Sequence, residues 1–74
     1  MSATIIDMDY RLVDTLNADQ LEPGDLIGIA AGVAKIISIT PTKHGFILIY
    51  EDDYNEKDVL EIFDHEQFDL YVIE

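Results

Sequence analysis

Residues 16–29 read "LNADQLEPGDLIGI", and two opposed local signals meet in them. Asn17, followed three residues later by Gln20, has the pattern of a capping box, enough for one helical turn across Ala18–Leu21. Pro23-Gly24-Asp25 then ends it. Proline fixes the dihedral before the corner, glycine supplies a conformation that other residues resist, and Asp25 can bond nearby amides. The chain leaves as the strand "DLIGI". A single turn, a tight corner and a strand start a small β structure, and Pro-Gly-Asp is read as that corner rather than as a working site.

Outward from this stretch the apolar pattern has period two or comes in short runs. In "IIDMDYRLV", Ile6, Met8, Tyr10 and Leu12 alternate with Asp7, Asp9 and Arg11, which predicts a half-buried strand with a wet face. In "GVAKIISIT", Val33, Ile36 and Ile39 recur with a skip, the mark of a bulge or strong bend near Ile36–Ile39. "PTKHG" has the length of a hairpin loop. Phe46 to Tyr50 is apolar throughout and predicts a strand covered on both faces or held inside a tight barrel. "VLEIF" alternates, with Leu60 and Ile62 inward and Val59, Glu61 and Phe63 outward. "DHEQF" reads as a second helical turn capped by Asp64, with Gln67 at its third position. "DLYVI" closes the chain.

Seventy-four residues at 49% hydrophobic make one domain, residues 1–74, with a single core. Five to six short strands with one or two single helical turns predict an all-β fold, and the small size favours a barrel. There is no cysteine, so neither a disulfide nor a thiolate-zinc site can staple the chain. "MSATIIDMDY" has no basic stretch leading into an apolar one, and "LIGIAAGVA" is too short to span a bilayer. A cytoplasmic protein is expected.

"ADQLEPGDLI", followed by Val33 and Ile36, resembles the start of SH3-like small barrels, and the turn at "DHEQF" before a last strand is similar to that fold. An "A-x-x-L-x-x-G-D" stretch also resembles Hint domains. Hint chemistry uses a Cys or Ser nucleophile and a terminal His-Asn pair, whereas here only Ser2 and Ser38 are available and neither His44 nor His65 precedes an asparagine. Over residues 16–74 the chain is similar to the short acidic proteins with an L-x-P-G-D turn that are common in phage genomes. That resemblance implies an SH3-like barrel and, for a phage protein, the host cytoplasm.

Charge is the extreme feature. The formal net charge is -12, and residues 51–74 carry ten acids against Lys57 alone. Direct binding to nucleic acid needs cations to displace condensed counterions, and four Lys and Arg in all cannot supply them. An anionic membrane is excluded on the same ground. A basic protein partner is attracted. The candidate partner-binding residues are Glu51, Asp52, Asp53, Glu56, Asp58, Glu61, Asp64, Glu66 and Asp69. Alternate side chains on a strand stand about 6.6 Å apart, close to the phosphate spacing of one nucleic-acid strand. A row through Asp58, Glu61, Asp64, Glu66 and Asp69 would then imitate DNA toward a basic nucleic-acid-binding protein. The simpler account is that such charge keeps a small domain soluble, and it is favoured over mimicry.

Catalysis, metal and cofactors find little support. His44 lies in a turn, and His65 between Asp64 and Glu66 has no second ligand at zinc spacing. "EDDYNEKD" has the Asp53–Asn55 alternation of a calcium loop, but Lys57 stands where the next ligand belongs and the sharp-turn glycine is missing. Tyr50, Tyr54, Phe63 and Tyr71 are candidates for an aromatic cage around a methylated lysine. The reading is therefore a non-enzymatic acidic interaction module, an inhibitor or decoy in its sharpest form. The alternative is a phage structural or assembly component that self-associates through a strand edge or through Val59 and Phe63.

Overall fold

The computed structural model describes residues 10–73. Six strands form one antiparallel sheet: β1 (Tyr10–Asn17), β2 (Leu26–Ile29), β3 (Gly32–Pro41), β4 (Gly45–Glu51), β5 (Lys57–Phe63) and β6 (Gln67–Ile73). A single 3-10 turn, Ala18–Gln20, follows β1. The all-β fold of short strands agrees with the sequence reading. The strand order is β1-β6-β2-β3-β4-β5, so the last strand is inserted between the first two.

That order forces the sheet to roll. β5 and β6 lie four places apart, about 19 Å in a flat sheet. Only Asp64–Glu66 join them, and four residue steps reach at most about 14 Å. The link is shorter still, because the Glu66 amide donates to the Phe63 carbonyl at 3.1 Å. Both strands also point the same way when counted across their antiparallel neighbours, a relation that ordinarily needs a dozen connecting residues. The sheet therefore curls until β5 runs through a tight turn into β6. Among the described residues, β1 and β5 are its two unpaired edges.

The inner face is small and apolar. Leu21, Ile27, Ile36, Leu48 and Ile62 are buried around Ala18, with Leu16, Ile29, Ile39, Phe46, Leu60 and Phe68 packed against them. On β5 the expected alternation holds, with Leu60 and Ile62 inward and Val59, Glu61 and Phe63 outward. On β3 the register slips between Ile36 and Ser38, which places a bulge at Ile37 where the sequence skip predicted one. The extra residue turns Ile37 out while Ile36 and Ile39 both stay on the core side.

The Glu22–Asp25 corner is a hydrogen-bonded turn with Gly24 at φ 96°, the type II pattern of proline then glycine. Asp25 holds it by accepting the Glu22 amide at 2.9 Å. Gly24 and Asp25 in turn exchange main-chain bonds with Ile36, tying the corner to the bulged strand. The corner builds the fold.

Three expectations change. β1 continues through a bulge at Val13 as far as Asn17, so Leu12 faces solvent and Leu16 reaches the core instead. Ile6 and Met8 lie outside the described residues. β4 is buried on one face only: Leu48 is inside, while Ile47 and Ile49 are partly open to solvent. "DHEQF" forms a tight turn and not a second helical turn. Glu66, not Asp64, caps it, its carboxylate accepting the Phe63 amide at 2.7 Å. Gln67 already belongs to β6, since three linking residues leave no room for a helical turn.

Gly45 sits directly under the backbone of Ile62 and Phe63, where an added Cβ would collide with main-chain atoms. Gly45→Ala is expected to cost about 1–3 kcal/mol as an overpacked site. Denaturant unfolding measures it, and an unchanged midpoint would show that β4 and β5 do not approach this closely.

Candidate functional site

The two ends of the rolled sheet differ. At one end β1 finishes, β6 begins and β4 begins, and hydrogen bonds lace these termini together. The Ala18 amide donates to Glu66 O at 3.0 Å, Gln67 Nε2 to Asn17 Oδ1 at 2.9 Å, and the Asp64 amide to His44 O at 3.0 Å. Gln20 Oε1 accepts the Asn17 amide at 2.8 Å, the half of the expected capping box that closes the 3-10 turn.

The other end opens into a cleft of about 700 Å³. Its apolar floor comes from Leu26, Val33 and Ile73. Glu51, Asp52 and Asp53 stand at its acidic side, where β4 runs into the β4–β5 loop, and Tyr10 and Tyr54 supply aromatic walls. Lys35, opposite Glu51 in the β3–β4 register, is the one cation among these lining residues. Tyr54 is 85% exposed, so its ring is free to be covered.

Local chemistry shapes the loop. Asp52 Oδ1 accepts the amides of Tyr54 at 2.8 Å and Glu56 at 3.0 Å, and Asn55 takes a left-handed φ of 62° to let the chain turn. The Asp52 carboxylate thus closes a turn instead of facing a cation. Tyr10 Oη donates to Asp53 Oδ1 at 2.8 Å, bracing the start of β1 against the loop. That bond holds the Tyr10 hydroxyl above its ordinary pKa, with desolvation and the Asp53 charge adding to it.

The nine candidate acids do not form one surface. Glu51, Asp52 and Asp53 converge at the cleft. Glu56 lies in the same loop, its amide bound to Asp52. Asp58 and Glu61 lie three residues apart on β5, so they leave from opposite faces. The Asp58 carboxylate folds back onto the Val59 amide at 2.8 Å. Asp64 and Glu66 belong to the β5–β6 turn, and Asp69 accepts from Thr15 Oγ1 across β1 and β6 at 3.3 Å. Strand alternation therefore breaks the expected phosphate-like row.

The four-ring cage is not assembled either. Phe63 pairs with Gly45 at the laced end and stacks on His65 at 5.8 Å. Tyr50 is half-buried beside Ile36, and Tyr71 meets Tyr10 edge-on at 6.5 Å. His65 stands 3.8 Å from Asp64, both exposed. Among the described residues no group of three or more His, Cys, Asp or Glu is placed to hold a metal, and no helix is long and apolar enough to cross a membrane.

Sequence reasoning missed Tyr10, Leu26, Val33, Lys35 and Ile73 as cleft residues. They come from both ends and the middle of the chain, and only the insertion of β6 between β1 and β2 brings them together. Compared with protein families, curated proteins and solved structures, the chain matches none.

Because its folded-state pKa is raised, the Tyr10–Asp53 contact contributes stability that is present below about pH 10 and lost as pH rises through the folded value. Asp53→Asn should return the Tyr10 hydroxyl toward its ordinary range. Ultraviolet titration of tyrosinate reads this directly, and an Asp53→Asn titration identical to that of the parent would exclude the bond.

Proposed function

We propose that the protein is a non-enzymatic interaction module that docks on a basic partner through the acidic side of its cleft. The observation carrying this reading is the placement of Glu51 and Asp53 beside apolar lining residues and an exposed tyrosine, on a loop that Asp52 holds in shape. A lysine or arginine entering there meets carboxylates for its charge, an aromatic face for its planar or ammonium group, and apolar surface for its stem. The net charge of -12 steers such a partner toward the molecule from a distance. In its sharpest form the module is an inhibitor or decoy for a nucleic-acid-binding protein that acts through the cleft and not through a phosphate-like row, which strand alternation breaks. The resemblance of the L-x-P-G-D turn to that of short acidic phage proteins supports a host cytoplasm as the site of that action.

A second reading, an assembly component, is favoured by a different observation. Among the described residues β5 is an unpaired edge, and its outward side chains include Val59 at 60% and Phe63 at 51% exposure.

The docking reading predicts capture of a basic protein from lysate at about 0.1 M salt and its loss at about 0.5 M. Glu51→Gln with Asp53→Asn should weaken that capture about fivefold to tenfold, since each contact at such a rim is worth under about 1 kcal/mol. Glu61→Gln, far from the cleft, should leave it unchanged. Capture indifferent to both salt and the cleft substitutions would overturn the docking reading.

A further inference from the structure

The two sheet edges are not equally protected. β1 carries a bulge between Leu12 and Asp14, which twists an edge away from pairing. β5 has none; its register with β4 runs unbroken from Lys57 to Phe63. Two bonds show which main-chain groups of β5 face the open side. The Val59 amide is held by Asp58 Oδ1 and the Phe63 amide by Glu66 Oε1, so neither donates into β4. Amide direction alternates along a strand, so Lys57, Val59, Glu61 and Phe63 all present their main chain to the free edge. Their side chains share the outer face, in the order cation, aliphatic, anion, aromatic.

We propose that β5 pairs antiparallel with β5 of a second copy, in the register centred on Val59. A two-fold axis at Val59 sets Val59 against its own copy. It sets Lys57 against Glu61 of the second copy, and Glu61 against Lys57 of the second copy. All three pairs join residues whose main chains face the edge, as a continuous ladder requires. Neighbouring registers are worse. Centring on Leu60 sets Val59 against Glu61, centring on Glu61 sets that carboxylate against itself, and centring on Asp58 does the same there. Charge complementarity therefore selects one register.

Packing supports it. Val59 lies opposite Ile49 on β4, and Ile49 is itself partly open. The two-fold would make an apolar band of Ile49, Val59, Val59 and Ile49 across the joint sheet. Two terms resist pairing: the Asp58 carboxylate must release the Val59 amide, and each copy carries a net charge of -12. Salt screens the second, so this dimer strengthens as salt rises, opposite to docking on a basic partner. The inference rests on the self-association reading and adds its surface, register and symmetry.

Sedimentation of the full chain at about 0.5 M salt should show a concentration-dependent dimer. Glu61→Lys alone should weaken it about tenfold or more, by setting Lys57 against a lysine. Glu61→Lys is the cleaner reversal, because its β4 neighbour is Ile47, whereas Lys57 faces Glu51. Lys57→Glu alone should weaken the dimer likewise. An equimolar mixture of the two single variants should form a heterodimer, and the double variant should dimerise with itself again. Circular dichroism establishes that each variant is folded. A dimer indifferent to both reversals overturns this pairing and leaves self-association through another surface. A wild-type chain that stays monomeric at every concentration overturns the pairing and the self-association reading together.

Discussion

The three-residue connection from β5 to β6 is the constraint on which the rest of the molecule depends. It is too short to cross a flat sheet of this strand order, so it makes the sheet roll, and rolling creates an inside. Everything at that end is small or satisfied for the same reason. Ala18 fits the corner under the turn, Gly45 lets β4 pass beneath β5, and Glu66 turns its own side chain back onto Phe63. A core of so few fully buried side chains, each worth about 1.5–3 kcal/mol, leaves little reserve for a poorly made corner. Lacing one end also leaves the other free to open. The cleft at the far ends of the same strands is the counterpart of the tight turn.

Much of this was legible in the sequence, and what was legible was local. The bulge at Ile37 could be read because one extra residue breaks the inward period, and Ile36 and Ile39 cannot share a face without it. The β5 alternation and the Pro23-Gly24 corner were readable for the same reason, since each depends on residues within a few positions. Leu12 was misread because period two extends only as far as the next bulge, and Val13 supplies one. "DHEQF" carries the letters of a capped turn, but the distance it must cover is set by strand order, which no local pattern states. The cleft was illegible on that account: Tyr10 and Ile73 become neighbours only through the placing of β6.

Counting carboxylates overstates the surface they form. Asp25, Asp52, Asp58 and Glu66 each accept a main-chain amide within their own turn or strand, so part of the acidity is turn chemistry. Asp53 and Asp69 accept side-chain hydroxyls that brace β1. The same composition would suit an even acidic coat or a single row, and the fold gives neither. It divides the acids between bracing and display, and both roles meet at the cleft, where Asp52 and Asp53 brace the loop and Glu51 stands beside them.

The high charge then has a consequence for the free edge. A six-stranded sheet with an unbulged end strand and exposed apolar side chains such as Val59 and Phe63 on its outer face is a template for further pairing. The described structure sets two brakes on it: a carboxylate seated on the Val59 amide, and a net charge of the same sign on every copy. Neither is absolute. The first yields one hydrogen bond when another offers itself, and the second fades within about 8 Å at physiological ionic strength. What survives both brakes is the pattern on the strand itself, and alternating Lys57, Val59 and Glu61 is self-complementary in one register. Along β5 the alternation of charge favours one register for a like strand, while the net charge of every copy opposes its approach.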